Sequence, residues 1–149
     1  MDFEELLLML SEGGVKFIVA GGVACAFNGF VRATDDLDIL IDASEQNITQ
    51  MLKILKGWGK GYADELEISD FPVSSGAIRL IEDFPLDIFT MLNEKTYEDL
   101  LSGSRISEHG IYYLDRKTLI DIKKKSCREK DKIDVLALEK IKNTSSANN

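Results

Sequence analysis

Apolar residues recur with helical spacing in several stretches, which predicts six helices along the chain. Apolar side chains at positions 3, 6, 7 and 10 predict the first helix, which Gly13-Gly14 ends. Ser44 is a typical N-cap, and apolar side chains at 48, 51, 52, 55 and 58 predict an amphipathic helix ending between residues 57 and 61. Short helices are expected near residues 23–27 and 94–101. Asp115 caps the first of two closing helices, and the second, over about 129–141, is predicted to face inward with Ile133, Leu136 and Ala137.

Runs of β-branched and other apolar residues predict five strands, at 15–20, 37–41, 76–82, 85–91 and 111–114. The tight link Asp83-Phe84 joins the third and fourth of them as a hairpin. Region 61–75 is compatible with either a strand or a loop. Strands that alternate with helices, together with one hairpin, predict an α/β or α+β domain with a small mixed β-sheet flanked by helices.

The length and composition are those of an ordinary globular domain. The chain has 149 residues and a mass of 16.7 kDa, with 44% apolar and 30% charged residues. We expect a single domain over residues 1–142 and a disordered, low-complexity tail over residues 143–149. The net charge of −8 excludes the broad basic surface with which proteins bind extended duplex DNA.

The sequence predicts a cytoplasmic protein that does not associate with a membrane. Residues 1–5 include three acids where a secretory signal is basic, and no apolar run approaches about 18 residues. Cys25 and Cys127 are the only cysteines, which is typical of reduced thiols, and their pairing as a disulfide stays open.

The segment 35–42, with the sequence DDLDILID, carries the most informative cluster of acids. Because side chains alternate along a strand, Asp36, Asp38 and Asp42 share one face. Asp36 and Asp38 then lie about 7 Å apart at Cα, so their carboxylates can hold one hard divalent cation between them. The alternative is that these acids line a solvated edge of the sheet.

Asp87 is a lone acid inside the otherwise apolar strand at 85–91. Ionised carboxylates are almost never fully buried without a partner or a metal ion. A salt bridge with Arg79 on the neighbouring strand explains Asp87, and a third metal ligand that converges with Asp36 and Asp38 explains it equally well. Three such carboxylates fit a two-metal site for phosphoryl or nucleotidyl transfer.

Gly21-Gly22 connects a predicted strand to a predicted helix. Glycines allow a phosphate to approach the backbone, and the start of a helix presents free N–H groups to it. The spacing is neither that of a dinucleotide-binding loop nor that of a P-loop. A plain tight turn is therefore at least as good an explanation for the glycine pair on its own.

These elements together resemble the signature of the nucleotidyltransferase superfamily of DNA polymerase β. That signature is a glycine-rich turn, a strand of pattern D-h-[DE]-h and a later third acid, matched here by Gly21-Gly22, by the run 36–39 and by Asp87. The G-G and R-x-T-x-D-h-D elements, the second of which begins at Arg32, are similar to those of minimal bacterial members. These members are the drug nucleotidyltransferases and the nucleotidyltransferase toxins of abortive-infection toxin–antitoxin systems.

The C-terminal part resembles the closing element L-I-x-x-K … R-x-K-D-x-x-D of the toxin-like branch, from Leu119 to Asp134. Residues 116–132 carry eight basic and three acidic side chains. This basic cluster is either a solvated helix end or a region that meets phosphates, and the motif spacing favours Lys123 for a phosphate contact. With this element included, the resemblance covers about residues 15–138.

The resemblance implies a polymerase-β-like fold and a role for each matched residue. Asp36 and Asp38 would ligate Mg²⁺ or Mn²⁺, and Asp87 would complete the catalytic site by holding the metal or accepting the proton of the nucleophile. Gly22 stands where Ser is frequent in relatives, which removes one hydroxyl contact. The resemblance also implies a set of residues that bind the nucleotide or support its site. They are Gly21, Gly22, Arg32, Thr34, Lys123, Arg128 and Asp131.

The implied activity is transfer of a nucleoside monophosphate from an NTP to an acceptor hydroxyl, with release of pyrophosphate. The acceptor would be an RNA end, a protein or a small molecule. The alternative is a non-catalytic module that binds a nucleotide or a partner protein within a toxin–antitoxin or regulatory pair. The short chain, without the extra C-terminal domain that larger relatives use to hold the acceptor, favours this module, whereas the intact set of three acids favours the enzyme.

Overall fold

Six strands form one mixed β-sheet in the computed structural model, which describes residues 3–125 and 128–141. In chain order the strands are β1 (Phe17–Ala20), β2 (Leu37–Ile41), β3 (Ala77–Ile81), β4 (Pro85–Phe89), β5 (Ser104–Ile106) and β6 (Tyr112–Leu114). Their order across the sheet is β3-β4-β2-β1-β6-β5. The pairs β1–β6 and β2–β4 are parallel, and the other three pairs are antiparallel.

Six α-helices flank this sheet within the described residues. They are α1 (Phe3–Glu12), α2 (Gly21–Phe27), α3 (Glu45–Lys56), α4 (Tyr97–Leu100), α5 (Arg116–Lys124) and α6 (Glu129–Lys140). The predicted caps are confirmed, because the side chain of Ser44 accepts from the N–H of Asn47 and that of Asp115 accepts from the N–H of Thr118. The expectation of a mixed sheet flanked by helices is therefore confirmed. None of the helices in the described part of the chain is long and apolar enough to cross a bilayer.

Most strand boundaries agree with the prediction, and β2 spans the predicted residues. The undecided region contains two 3₁₀ turns, Tyr62–Glu65 and Ile68–Asp70. Strand β5 has no counterpart in the prediction because its three residues, Ser-Arg-Ile, contain no apolar run. Cys127 and the tail 143–149 lie outside the described residues. The structure therefore tests neither a disulfide between Cys25 and Cys127 nor the predicted disorder of the tail.

The hydrophobic core lies around the two central strands, β1 and β2. Four of the five residues in β2 are buried, and Asp38 is the partly exposed one. At the β3–β4 hairpin, Phe84 packs against Phe3 of α1 and Trp58 at the end of α3, with ring centroids 4.7 and 5.6 Å away. The core thereby fixes the strands that carry the candidate acids.

Helix α6 faces inward with a different side from the one predicted. Ile133 and Leu136 are 58% and 60% exposed, so the prediction that they face the core is wrong. Asp131 and Asp134 are buried instead, together with Leu138. The reason is electrostatic: the buried cation Lys123 of α5 bonds to both aspartates, and the helix is oriented by these ion pairs as well as by apolar burial.

The orientation of α6 predicts opposite outcomes for two leucines on this helix. Leu138→Ala should lower the free energy of unfolding by about 2–5 kcal/mol because it leaves a cavity in the core. Leu136→Ala should change it by at most about 0.5 kcal/mol because that side chain is largely in solvent. Urea denaturation of both variants measures the difference, and equal losses would contradict the orientation.

Candidate functional site

The register of three neighbouring strands places the candidate acids in one row. Asp38 of β2 pairs with Asp87 of β4, and Asp87 pairs with Arg79 of β3. Ala20, the last residue of β1, pairs with Asp38 on its other side. Paired positions project from the same face of a sheet, so these side chains are neighbours. Asp36 lies two residues before Asp38 and reaches the same place from the end of the loop before β2.

The carboxylates of Asp36, Asp38 and Asp87 converge. Each offers one oxygen atom, and these three oxygens all lie within 4.8 Å of one another. Asp87 is buried, and the other two are partly exposed, so the cluster is reachable from solvent on one side. Carboxylate oxygens at such spacing could hold a metal ion, and hard cations such as Mg²⁺ and Mn²⁺ prefer these ligands.

Arg79 contacts two of the three acids. Its Nε donates to Oδ1 of Asp87 at 2.8 Å, and its Nη2 donates to Oδ2 of Asp87 at 2.9 Å and to Oδ2 of Asp36 at 3.3 Å. The salt bridge between Arg79 and Asp87 is therefore present, and Asp87 also converges with Asp36 and Asp38. Both features that could explain this buried acid are therefore present in the metal-free protein. The sequence pointed to Arg79 only as a salt-bridge partner, so its contact with Asp36 is a new feature of the site.

Asp38 is the acid most strongly affected by its surroundings. Burial is the main cause that raises the pKa of Asp38 from 3.8 to about 7, and the charges of Asp36 and Asp87 act in the same direction. A hydrogen bond with Asp87 also favours the protonated form, whereas Lys130 opposes it. In the metal-free protein the pKa of Asp38 therefore lies near neutral pH, far above that of an ordinary aspartate.

Gly21 and Gly22 pack directly against other residues of the candidate site. Gly21 has a φ of +61°, and a Cβ at this position would collide with the carboxylate of Asp38. A Cβ on Gly22 would lie 2.8 Å from Oγ1 of Thr34 and 3.0 Å from Nη2 of Arg32. Gly21 is therefore required by its positive φ and by lack of space, whereas a serine in place of Gly22 would make the side chains of Thr34 and Arg32 shift.

A buried ion network lies behind the cluster and joins α5, α6 and the loop before β2. The Nζ of Lys123 donates to Asp131 at 3.1 Å and to Asp134 at 2.9 Å. Arg32 binds both oxygens of Asp134, at 2.8 and 3.0 Å, and Arg128 binds Asp131 at 2.8 Å. Three cations thus share two aspartates, which leaves a net positive charge.

The pKa shifts in this network agree with stable ion pairs. Burial raises the pKa of Asp134, but the hydrogen bonds from Arg32 and Lys123 outweigh burial and lower it overall. Burial likewise lowers the pKa of Lys123, and its contacts with Asp134 and Asp131 raise it overall. Lys123 is 6% exposed, so its aspartate partners hold it in its charged form.

A cleft of about 340 Å³ connects the ion network to the acids. Its size is at the lower end of the range for small-molecule sites. Polar residues line one part of the cleft, and apolar residues line the rest. The lining residues are Ala20, Gly21, Asp38, Phe89, Leu92, Leu114, Leu119, Ile122, Lys123, Arg128 and Asp131.

The expected site residues fall into two groups. Gly21, Lys123, Arg128 and Asp131 share the cleft with Asp38. Gly22, Arg32 and Thr34 lie behind it, where they contact one another and Asp134. Asp42 lies at the far end of β2 and accepts from the N–H of Ser44 at 3.0 Å, so it is not part of the cluster.

A larger hollow of about 650 Å³ lies at the opposite end of the β1–β2 pair, beside Lys16, Ser44 and Asn47. Asn47 is buried but fully engaged, since it bonds to the N–H and C=O of Lys16 and to the C=O of Asp42. No cluster of three acids or other metal ligands was found there among the described residues. The smaller cleft is therefore the better candidate site.

The raised pKa predicts how pH acts on metal-free stability. Because the folded state binds a proton at Asp38 up to about pH 7 and the unfolded chain releases it near 3.8, stability should fall as pH rises through this interval. Asp38→Asn should remove this loss and raise the free energy of unfolding at pH 8 by about 1–3 kcal/mol. Urea titrations in EDTA at pH 5 and pH 8 measure it. Asp35→Asn, an exposed change in the same loop, is the control and should keep the wild-type slope.

The ion network predicts a large loss when one aspartate is removed. Asp134→Ala should lower the free energy of unfolding by about 3–5 kcal/mol because Lys123 loses one partner and Arg32 its paired carboxylate. The matched control is Glu139→Gln on the same helix, whose exposed pair with Lys124 should contribute less than about 1 kcal/mol. Similar losses in the two variants would show that the network does not stabilise the fold.

Comparisons with protein-family models, with curated proteins and with solved structures find no significant match to this chain. The site itself therefore carries the functional proposal.

Proposed function

We propose that the chain is a nucleotidyltransferase that depends on a divalent metal ion. It would transfer a nucleoside monophosphate from an NTP to an acceptor hydroxyl and release pyrophosphate. The observation that carries this proposal is the convergence of Asp36, Asp38 and Asp87, of which Asp38 lines a cleft together with Gly21, Lys123 and Arg128. Acids for a metal and cations for phosphates are the two requirements of this chemistry.

The three carboxylates are the residues that would hold Mg²⁺ or Mn²⁺. When bound, the metal supplies positive charge that stabilises the transferring phosphate. The chain is suited to this charge, because the three acids repel one another and Asp38 binds a proton with a pKa of about 7. A cation that replaces this proton removes the repulsion, which is why the residues fit the ion.

The cleft offers complementary surfaces for the parts of a nucleotide. Gly21 leaves room for the carboxylate of Asp38 at the cleft, since a Cβ at this position would collide with that carboxylate. Arg128 is 67% exposed and is available to phosphate oxygens while it bonds to Asp131. Lys123 lines the cleft but is buried between two aspartates, so it adds positive charge without being exposed. The apolar part, which includes Phe89 and Leu114, suits the base or the sugar.

The reaction forms one P–O bond and breaks another. The acceptor oxygen bonds to the α-phosphorus of the NTP while the bond from this phosphorus to the pyrophosphate oxygen breaks. The acceptor loses its proton, and the base that we propose is Asp87, which lies beside Asp38 on the neighbouring strand. The acceptor is an RNA end, a protein side chain or a small molecule.

Arg79 also favours a second candidate function, a non-catalytic module that binds a nucleotide or a partner protein. Its guanidinium neutralises part of the acidic cluster without a metal ion, as a purely structural cluster would require. In that case the cleft would bind its ligand without transferring anything, and the acids would contribute to binding alone.

The test is transfer of label from each α-³²P-labelled NTP to components of a cell extract, with Mg²⁺ or Mn²⁺. Wild type should produce a labelled acceptor, and Asp36→Asn, Asp38→Asn and Asp87→Asn should each lower the yield about 100-fold or more. Asp42→Asn is the control, since it changes an acid of the same segment at the far end of β2.

Two outcomes separate the candidate functions. Label transfer that survives the substitutions in the cluster would contradict the enzyme. Absence of transfer, together with NTP binding that is lost in the same three variants, would favour the binding module. Equilibrium dialysis with the labelled NTPs provides the binding measurement.

A further inference from the structure

Arg79 occupies the side of the acidic cluster that faces the edge of the sheet. Its guanidinium donates to both oxygens of Asp87 and to Oδ2 of Asp36, at 2.8, 2.9 and 3.3 Å. Both oxygens of Asp87 and one of Asp36 therefore already face a positive charge. A divalent cation that binds to these carboxylates would come close to the guanidinium, and the two positive charges would repel each other.

The guanidinium and the carboxylate of Asp87 differ in their freedom to move. The side chain of Asp87 is 10% exposed, whereas that of Arg79 is 51% exposed and extends from β3, an edge strand of the sheet. The carboxylate is held by its strand, and the long arginine side chain can turn into solvent. If one partner has to leave when a metal ion arrives, the geometry identifies Arg79 as that partner.

We propose that Arg79 is the resident counter-ion of the cluster and that a divalent metal ion binds by displacing its guanidinium from Asp36 and Asp87. This regulation rests on the metal role proposed for the three carboxylates and does not depend on nucleotidyl transfer. Arg79 then has two opposite effects. It stabilises the metal-free protein by reducing the repulsion among the acids, and it weakens metal binding by competing for the same oxygens.

A purely structural role for Arg79 makes the opposite prediction. If the guanidinium served only to hold Asp87 in position for the metal, its removal would misplace a ligand and weaken binding. The sign of the change in metal affinity therefore distinguishes a competitor from a positioning residue.

The experiment measures binding of Mn²⁺ alone to the full chain by isothermal titration calorimetry at pH 8 and low salt. Arg79→Gln should tighten Mn²⁺ binding at least about fivefold, because it removes the competing charge and leaves the three acids in place. It should also lower the melting temperature in EDTA, and excess Mn²⁺ should reduce this difference from wild type. The matched control is Arg105→Gln on β5, at the opposite edge of the sheet, which changes net charge equally and should alter the affinity less than about twofold.

Each result supports or overturns the proposal. Tighter binding in Arg79→Gln but not in the control supports it. Unchanged or weaker binding in Arg79→Gln, with a wild type that binds Mn²⁺, overturns the role of Arg79 and leaves the proposed function standing. A wild type that binds no Mn²⁺ overturns both. If circular dichroism shows that Arg79→Gln is unfolded, Arg79→Lys replaces it and should tighten binding at least about twofold, since a lysine loses the paired geometry with Asp87.

Discussion

Asp36, Asp38 and Asp87 repel one another, and partial burial in the sheet prevents water from screening this repulsion fully. The surrounding features reduce it in different ways. Asp38 retains a proton near neutral pH, and Arg79 donates three hydrogen bonds to the other two acids. Gly21 leaves the carboxylate of Asp38 the space that it occupies. A metal ion bound at this cluster would replace a proton or a guanidinium that balances the repulsion in the metal-free protein.

The same electrostatic principle organises the two closing helices. Asp131 and Asp134 are buried on α6, where both bond to Lys123 of α5 and Asp134 also bonds to Arg32, and this orientation leaves Ile133 and Leu136 in solvent. Through Arg32 the network also holds the loop that leads to Asp36. The same network therefore connects the basic residues of α5 with the loop that carries Asp36.

Much of this arrangement could be predicted from local patterns. The spacing of Asp36 and Asp38 and the isolated position of Asp87 in an apolar strand follow from strand geometry alone. As expected, Asp38 and Asp87 lie on the same face of the sheet. The orientation of α6 could not be predicted in the same way, because apolar periodicity does not register an ion pair with a residue on another helix. The sequence also left Arg79 and a metal as alternatives for Asp87, since only the register of β3, β4 and β2 shows that Asp87 lies between Arg79 and Asp38.

The parallel pairing of β2 with β4 has a consequence for how the site comes into being. Asp38 and Asp87 lie far apart in the chain, with α3 and β3 between them, and they become neighbours only when these two strands align. Such long-range pairing forms late because the loop-closure entropy is lost before the contacts are gained. A chain in which β4 has not yet paired with β2 brings together only Asp36 and Asp38. Binding of a metal ion by all three acids would therefore require a complete central sheet.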